Sequence, residues 1–137
     1  MQKTFLFLAA VLGALAVGLG AFGAHGLTGL IDEHSIRIYE KGISYQFNHV
    51  FALIACSLLY SNKPSKMIRW AYWMFFAGII CFSGSLYVLA TASLTNISTS
   101  MIGPITPLGG LLFIAGWVLL AVYALRNFFG KRNMIGI

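Results

Sequence analysis

Four stretches of the chain run almost without charge: Thr4 to Ala24, Ile43 to Tyr60, Ile68 to Ala92 and Pro107 to Leu125. Each is long enough to cross a hydrocarbon layer of about 30 Å as a helix rising ~1.5 Å per residue. The pattern predicts an all-α fold, an integral membrane four-helix bundle in which all 137 residues form one transmembrane domain. Polar interruptions mark where helices begin. In "LIDEHSIRIYEKG", Asp32 is placed to cap a helix, Glu33 suits its positive start, and Glu33 and Arg37 stand at the i, i+4 spacing of an ion pair. A second helix running from there to Tyr60 would measure about 43 Å, longer than the apolar layer, so its first turns should project beyond it. In "GPITPLGG", Thr106 can cap the fourth helix and Pro107 suits its first position. The first stretch carries two rows of small residues, Ala10, Ala14, Gly18 and Gly13, Ala16, Gly20, of the kind that lets helix backbones approach closely in a bilayer.

Composition agrees with this placement. The chain is 59% hydrophobic and 9% charged, with a mean hydropathy of +0.85, against about 25% charged residues in a soluble domain. No soluble domain, long linker, low-complexity tract or internal repeat interrupts it. The first stretch follows "MQK" and is longer than the roughly 7–15 apolar residues of a secretory signal, so an uncleaved first helix is expected. Four crossings put both termini and the Asn62–Met67 loop on one side, with Lys3, Lys63, Lys66, Arg69, Arg126, Lys131 and Arg132. The other side holds Arg37, Lys41, Asp32, Glu33 and Glu40. That is +7 against −1, which accounts for the net +6. The positive-inside rule then makes both termini cytoplasmic. Membrane lipids are sufficient company for the basic loops, and no nucleic acid partner is implied.

Cys56 and Cys81 fall inside spans and are expected to be buried free thiols. Trp70, Tyr72 and Trp73 read as an interfacial aromatic belt, and Trp117 as a deeper packing residue. "NIS" at Asn96 matches a glycosylation sequon, which a bacterial host would leave idle.

Polar residues inside the spans carry the candidate chemistry, because ionisable and polar groups at bilayer depth need a partner or a task. His25, Gln46, His49, Ser83, Ser85 and Tyr87, with the "GPITP" segment, all fall in the half of the bilayer away from the termini, and together they form the candidate binding site. His25 shares a helix face with Gly18 and Ala14, which aims it at a neighbouring helix; Gln46, His49, Ser83 and Ser85 are its candidate partners by depth. Gln46, His49 and Cys56 lie along one face of the second helix, and Ser83 and Tyr87 are stacked one turn apart on the third. For the histidines an interhelical hydrogen bond ranks ahead of a ligand or proton site. Metal or haem ligation ranks last, since no C-x-x-C-H motif accompanies them. No carboxylate lies in a span, and no G-x-S-x-G elbow supports a serine nucleophile, so no catalytic residue, metal site or cofactor is expected and the chain is not read as an enzyme.

"GAFGAHGL", "YEKGISYQFNH", "FSGSLY" and "GPITPLGGLLFIAGW", in that order, resemble the small four-helix inner-membrane proteins of the YgdD/YwdK-like family, a domain of unknown function. The resemblance runs from Met1 to about Leu125. It implies a multi-pass protein of the bacterial plasma (inner) membrane, with no activity, substrate, cofactor or catalytic residue to carry over. Its motifs coincide with the polar cluster that depth alone picks out. The expected role is therefore binding: a pocket for a lipid or small amphiphile, or an accessory that docks on a membrane-protein partner or on itself. The alternative is an oligomeric transporter or channel subunit, since four helices leave little room for a pore; a haem-binding protein or membrane enzyme stands behind both.

Overall fold

The computed structural model describes residues 2–135. Helix α1 spans Gln2–Phe22 and runs on into a π-helical turn, Gly23–Leu27; α2 spans Glu33–Asn62. Next, α3 (Lys66–Gly78) continues through a second π turn, Ile79–Ser83, into α4 (Gly84–Ala90). A short α5 (Ala92–Thr95) and a 3₁₀ turn (Thr99–Met101) lead to α6, Ile105–Ile135. Four of these helical runs are long and apolar enough to cross a membrane: Lys3–Leu27, Glu33–Asn62, Lys66–Ala90 and Ile105–Asn127. They overlap the four apolar stretches and extend past most of their ends. Hydropathy marks where charge stops, whereas backbone hydrogen bonding continues into the polar flanks. Met1, and the side chains of Lys131 and Arg132 counted in the charge balance, lie outside the described set.

The connections put the start of α1, the Lys63–Ser65 turn and the later part of α6 at one end of the bundle. Lys63 Nζ donates to Asn127 Oδ1 at 3.2 Å across it. We call this the basic end and the opposite one the far end.

Local chemistry sets the far-end turn between α1 and α2. Thr28 Oγ1 donates to the Ala24 carbonyl at 2.9 Å, and Leu30 N to the Leu27 carbonyl at 3.0 Å. Gly29 holds the reversal at φ +83°, a left-handed conformation that glycine adopts without steric cost. Asp32 then caps α2 as its position predicts: Ser35 donates its backbone N–H at 3.0 Å and its hydroxyl at 2.9 Å to the two carboxylate oxygens. Those two bonds, the backbone one first, hold the Asp32 carboxyl below its ordinary range. A lowered folded value means that the cap is fully formed at neutral pH and is lost as pH falls through that value. Glu33 and Arg37 do form the expected ion pair, at 3.7 Å and highly exposed, a geometry that contributes little to stability.

Packing is inverted relative to a water-soluble bundle. Phe7, Val17, Phe51, Leu111 and Ile114 are among many large apolar side chains on the outer surface, a face suited to lipid. Inside, Leu53, Cys56, Ile68, Tyr72 and Phe75 are fully buried at the centre. Tyr72 thus belongs to the core and not to the belt formed by the exposed Trp70 and Trp73. Its ring stacks on Phe5 at 3.9 Å, and its hydroxyl donates to the Phe5 carbonyl at 2.7 Å. A tyrosine that can satisfy its hydroxyl on a backbone carbonyl need not stay at the interface.

Of the two small-residue rows on α1, the one at the α2 interface is Gly13, Ala16 and Gly20. An added Cβ would meet Val50 at 3.3 Å from Gly13 and Ile43 at 3.7 Å from Gly20, and Ala16 is buried. The other row, Ala10, Ala14 and Gly18, faces outward, with nothing near Gly18. Closest approach is reached between α6 and the run from α3 through the π turn. The Phe113 ring fills the notch at Gly78, the Phe75 ring fills the notch at Gly116, and Gly109 lies directly on the Phe82 backbone.

That interface generates a test. A Cβ at Gly109 would sit 2.7 Å from Phe82 Cβ and 2.8 Å from its Cα, whereas one at Gly110 would meet only the rim of the Phe82 ring at 3.8 Å. Gly109→Ala should cost on the order of 1–3 kcal/mol, as overpacking does, and Gly110→Ala should fall within about 0.5 kcal/mol of wild type. Unfolding of the purified variants in mild detergent measures both; equal stability of the two would contradict the packing.

Candidate functional site

Helix α2 presents Tyr39, Ile43, Gln46 and Val50 as one stripe, and α1 lies on it. Buried Gln46 donates Nε2 to the Leu12 carbonyl of α1 at 2.8 Å, and its Oε1 accepts the Tyr87 hydroxyl of α4 at 2.8 Å. One carboxamide therefore joins three helices, using both a donor and an acceptor. Two turns toward the far end, the Tyr39 hydroxyl donates to the Leu19 carbonyl at 3.1 Å. The Tyr39 ring occupies the notch left by Gly23 and the Tyr87 ring the notch left by Gly42, and the two rings meet at 5.0 Å.

His49 turns to the other side of α2, toward α6, so the face shared with Gln46 in the sequence is divided between two neighbours. Nδ1 lies 2.8 Å from the Tyr45 carbonyl, which can only accept, so the proton is on Nδ1. Nε2 is left as an acceptor, and the Trp117 indole N–H donates to it at 3.3 Å. Both ring nitrogens are thereby engaged and the tautomer of the neutral imidazole is set. Phe113 stacks on the ring at 3.5 Å. Trp117 packs as expected, yet about half of its surface faces outward.

Ser85 and Ser83 diverge. The Ser85 hydroxyl donates to the Phe82 carbonyl at 2.9 Å, and Thr106 Oγ1 lies 2.6 Å from it. With the serine proton already used, the threonine is the donor. Thr106 consequently ties α6 to α4 and does not cap: α6 begins one residue earlier, at Ile105, with Pro107 inside its first turn, where a missing N–H costs no hydrogen bond. Ser83 closes the second π turn, fully buried and without a hydrogen-bond partner among the described residues.

His25 stands apart. It lies in the first π turn, exposed, with no side-chain hydrogen bond among the described residues. The antiparallel register explains why it does not reach Gln46. The pairs Leu12–Gln46, Gly20–Ile43 and Leu19–Tyr39 put His25 level with about Ile36, roughly 15 Å along α2 from Gln46 at ~1.5 Å per residue. The face it shares with Ala14 and Gly18 is the outward row. The six residues that the sequence singles out therefore resolve into three separate arrangements, Gln46–Tyr87, His49–Trp117 and Ser85–Thr106, with Ser83 unpartnered among the described residues and His25 at the far end. Cys56 and Cys81 are both free, the first buried and the second partly so.

Open space flanks two of these arrangements, in a cleft of about 340 Å³ lined by His49, Phe113 and Trp117 among others and one of about 350 Å³ lined by Cys81, Ser85 and Ile102 among others, neither with a charged side chain. Two further clefts lie at the far end. A cleft of about 310 Å³ between α1 and α2 is lined by Gly20, Gly23, Ala24, Ile36, Tyr39, Glu40, Ile43 and Ser44. A neighbouring cleft of about 320 Å³ is lined by Thr28, Gly29, Ile31, Glu33, Ile36 and Arg37, so Ile36 is common to both. The 30 residues of α2 span about 45 Å. With its basic end at the edge of a hydrocarbon layer of about 30 Å, the first ten residues or so pass beyond the other edge. On that placement Glu40 would stand at head-group level.

Depth along the spans does not single out Tyr39, Glu40 or Asn48. Tyr39 precedes Gln46 by seven residues, two turns on the same face, and that spacing is visible in the sequence. Glu40 lies within α2 but ahead of its apolar stretch, so a search confined to the spans passes over it. Asn48 is exposed on the outer face of α2, with no side-chain hydrogen bond among the described residues.

A family described as "Protein of unknown function (DUF423)" matches residues 19–110, a stretch that contains both clefts and the Gln46–Tyr87 link. A UPF0382 membrane protein of Staphylococcus aureus (strain bovine RF122 / ET3-1) is 48% identical over 121 residues, 88% of this chain and 94% of that protein. One of Staphylococcus haemolyticus (strain JCSC1435) is 45% identical over 121 residues, again 88% and 94%. The UPF0382 membrane protein YwdK of Bacillus subtilis (strain 168) is 44% identical over 127 residues, 91% of this chain and 98% of that protein. No solved structure matches.

The hydrogen-bond assignments separate the two kinds of polar residue. Tyr87→Phe and Gln46→Leu each remove the same link, so their effects on stability should be non-additive, within the roughly 0.6–1.7 kcal/mol of a hydrogen bond between membrane helices. His25→Leu should leave stability unchanged within about 0.5 kcal/mol, as surface substitutions do. Thermal unfolding of the single and double variants checks all three, and strict additivity of the first two would remove the link.

Proposed function

We propose that this chain, which belongs to the DUF423 family of membrane proteins of unknown function, works by binding a lipid or small amphiphile in the far-end cleft between α1 and α2, without catalysing a reaction. The observation that carries this reading is the cleft itself: space of about 310 Å³ at head-group level, with a carboxylate and a hydroxyl, Glu40 and Ser44, among apolar walls. That volume is at the lower end of small-molecule pockets, roughly 300–1,000 Å³, enough for a head group or a short amphiphile whose chains remain in the bilayer. The state of the interior supports it further. Gln46, Tyr87, His49, Ser85 and Thr106 are engaged in bonds between or within helices, and Leu53, Ile68 and Phe75 fill the centre. A bundle packed in this way favours binding at its rim over passage through its middle.

The membrane we assign is the bacterial plasma membrane, with both termini in the cytoplasm. Support comes from the charge distribution, because Lys3, Lys63, Lys66, Arg69 and Arg126 lie at the basic end and all three acids lie toward the other. With Cys56 and Cys81 replaced by Ala, an impermeant thiol reagent applied to intact cells should label Thr95→Cys and spare Asn62→Cys. The opposite pattern would invert the orientation.

Binding is tested by filling the cleft. A Cβ at Gly20 would meet only Ile43, at the ordinary distance of 3.7 Å, so Gly20→Leu should extend into the space without moving α2. Native mass spectrometry of the full chain from mild detergent should find lipid or amphiphile retained by the wild type and lost from Gly20→Leu, with helix content unchanged. Equal retention by both would exclude the cleft as the site.

A further inference from the structure

The two far-end clefts share the wall at Ile36 and differ in charge. One holds Glu40, which has no ion pair or side-chain hydrogen bond among the described residues; the other holds Arg37 together with its ion-pair partner Glu33. Glu40 and Arg37 stand three residues apart on α2, which brings them to about 5–6 Å at Cβ on one helix surface. Among the described residues Arg37 is engaged only by Glu33, in an exposed contact of 3.7 Å that an incoming anion can displace. An acid and an arginine set side by side at head-group level complement a zwitterion.

We infer that these clefts form a seat for the phosphoethanolamine head of a membrane lipid, with its ammonium on Glu40 and its phosphate on Arg37. The inference rests on the reading of the α1/α2 cleft as an amphiphile site. The choice of a primary ammonium follows from the chemistry of the walls. Glu40 and Ser44 present oxygen acceptors, which suit N–H donors. A trimethylammonium has none and is held instead by the open faces of aromatic rings. Tyr39 is the sole aromatic residue of the two walls, and its ring is already packed on Gly23 and against Tyr87. On the other side, a guanidinium matches phosphate geometry through paired N–H donors. The two-carbon linker of ethanolamine keeps ammonium and phosphate close enough to be held by neighbouring positions on one helix. The acyl chains leave the clefts toward the hydrocarbon, along the apolar surface of α1 and α2.

The test uses the full chain reconstituted in nanodiscs that contain equal phosphatidylethanolamine and phosphatidylcholine with phosphatidylglycerol, followed by native mass spectrometry of the lipids that stay bound. Wild type should retain the ethanolamine lipid several-fold over the choline lipid. Glu40→Gln should bring that ratio to about one while lipid still binds, and Arg37→Gln should lower retention of both without changing the ratio. Glu40 and Arg37 are exposed, so unchanged unfolding temperatures are expected and are measured alongside. A wild type that retains lipid with no preference, or a Glu40→Gln protein with the wild-type preference, overturns the head-group assignment. In either case loss of lipid from Gly20→Leu keeps the cleft reading standing. Should Gly20→Leu retain the wild-type lipids, the cleft reading fails and the head-group assignment fails with it.

Discussion

Inside a hydrocarbon layer a polar side chain has no water to turn to, so each one must be answered by protein or held at an edge. Gln46 is answered twice, by a backbone carbonyl of α1 and by a tyrosine of α4. The rest of the bundle is arranged around that constraint. For the amide to reach Leu12, α1 must lie in one axial register against α2. For Tyr87 to reach the amide, its ring must pass close to the backbone of α2, and Gly42 gives it room. Tyr39 repeats the device two turns away, with its hydroxyl on Leu19 and its ring over Gly23. Ring size and hydroxyl position together define how far apart the helices stand.

The same logic governs the other side of α2. His49 sits between a carbonyl that needs a donor and an indole that needs an acceptor, and its face is covered by Phe113. The Phe113 ring in turn depends on Gly78, and Phe75, which lies near the histidine, depends on Gly116. Polar pairing and glycine notches are thus one system: the notch lets the helix approach, and the approach completes the hydrogen bond. Packing of this kind is the main attraction available to helices in lipid, where the surroundings are as apolar as the side chains.

The open spaces that carry charged side chains are at the rim. The far-end turn, held by Gly29 and by the Asp32 cap, starts α2 beyond the hydrocarbon edge, and that excess length places charged residues beside the glycine-rich end of α1. A helix trimmed to the thickness of the bilayer would have carried Glu40 and Arg37 away from it. Length mismatch, which by itself is only a geometric feature of α2, is therefore what brings charge, small residues and free space together in one place.

Local physics decided much of this and is legible in the chain. The number and order of the membrane helices follow from the spacing of charged residues. The Asp32 cap and the Glu33–Arg37 pair follow from the chemistry of one helix start, and the excess length of α2 follows from counting. None of these requires knowledge of a neighbouring helix. Rotation and register do. Two small-residue rows on α1 are equivalent in sequence, and only the fit of Gly13 and Gly20 against Val50 and Ile43 selects which one turns inward. Once that row is inward, His25 rides on the outward face and stands level with about Ile36, which is why none of the candidates that depth offers, Gln46, His49, Ser83 and Ser85, bonds to it among the described residues. Tyr72 and Thr106 look interfacial or capping by position, yet each found a partner sixty-seven and twenty-one residues away, respectively. A hydrogen bond across helices depends on ångström-scale placement of two backbones, and that placement is the sum of many long-range contacts that no single segment contains.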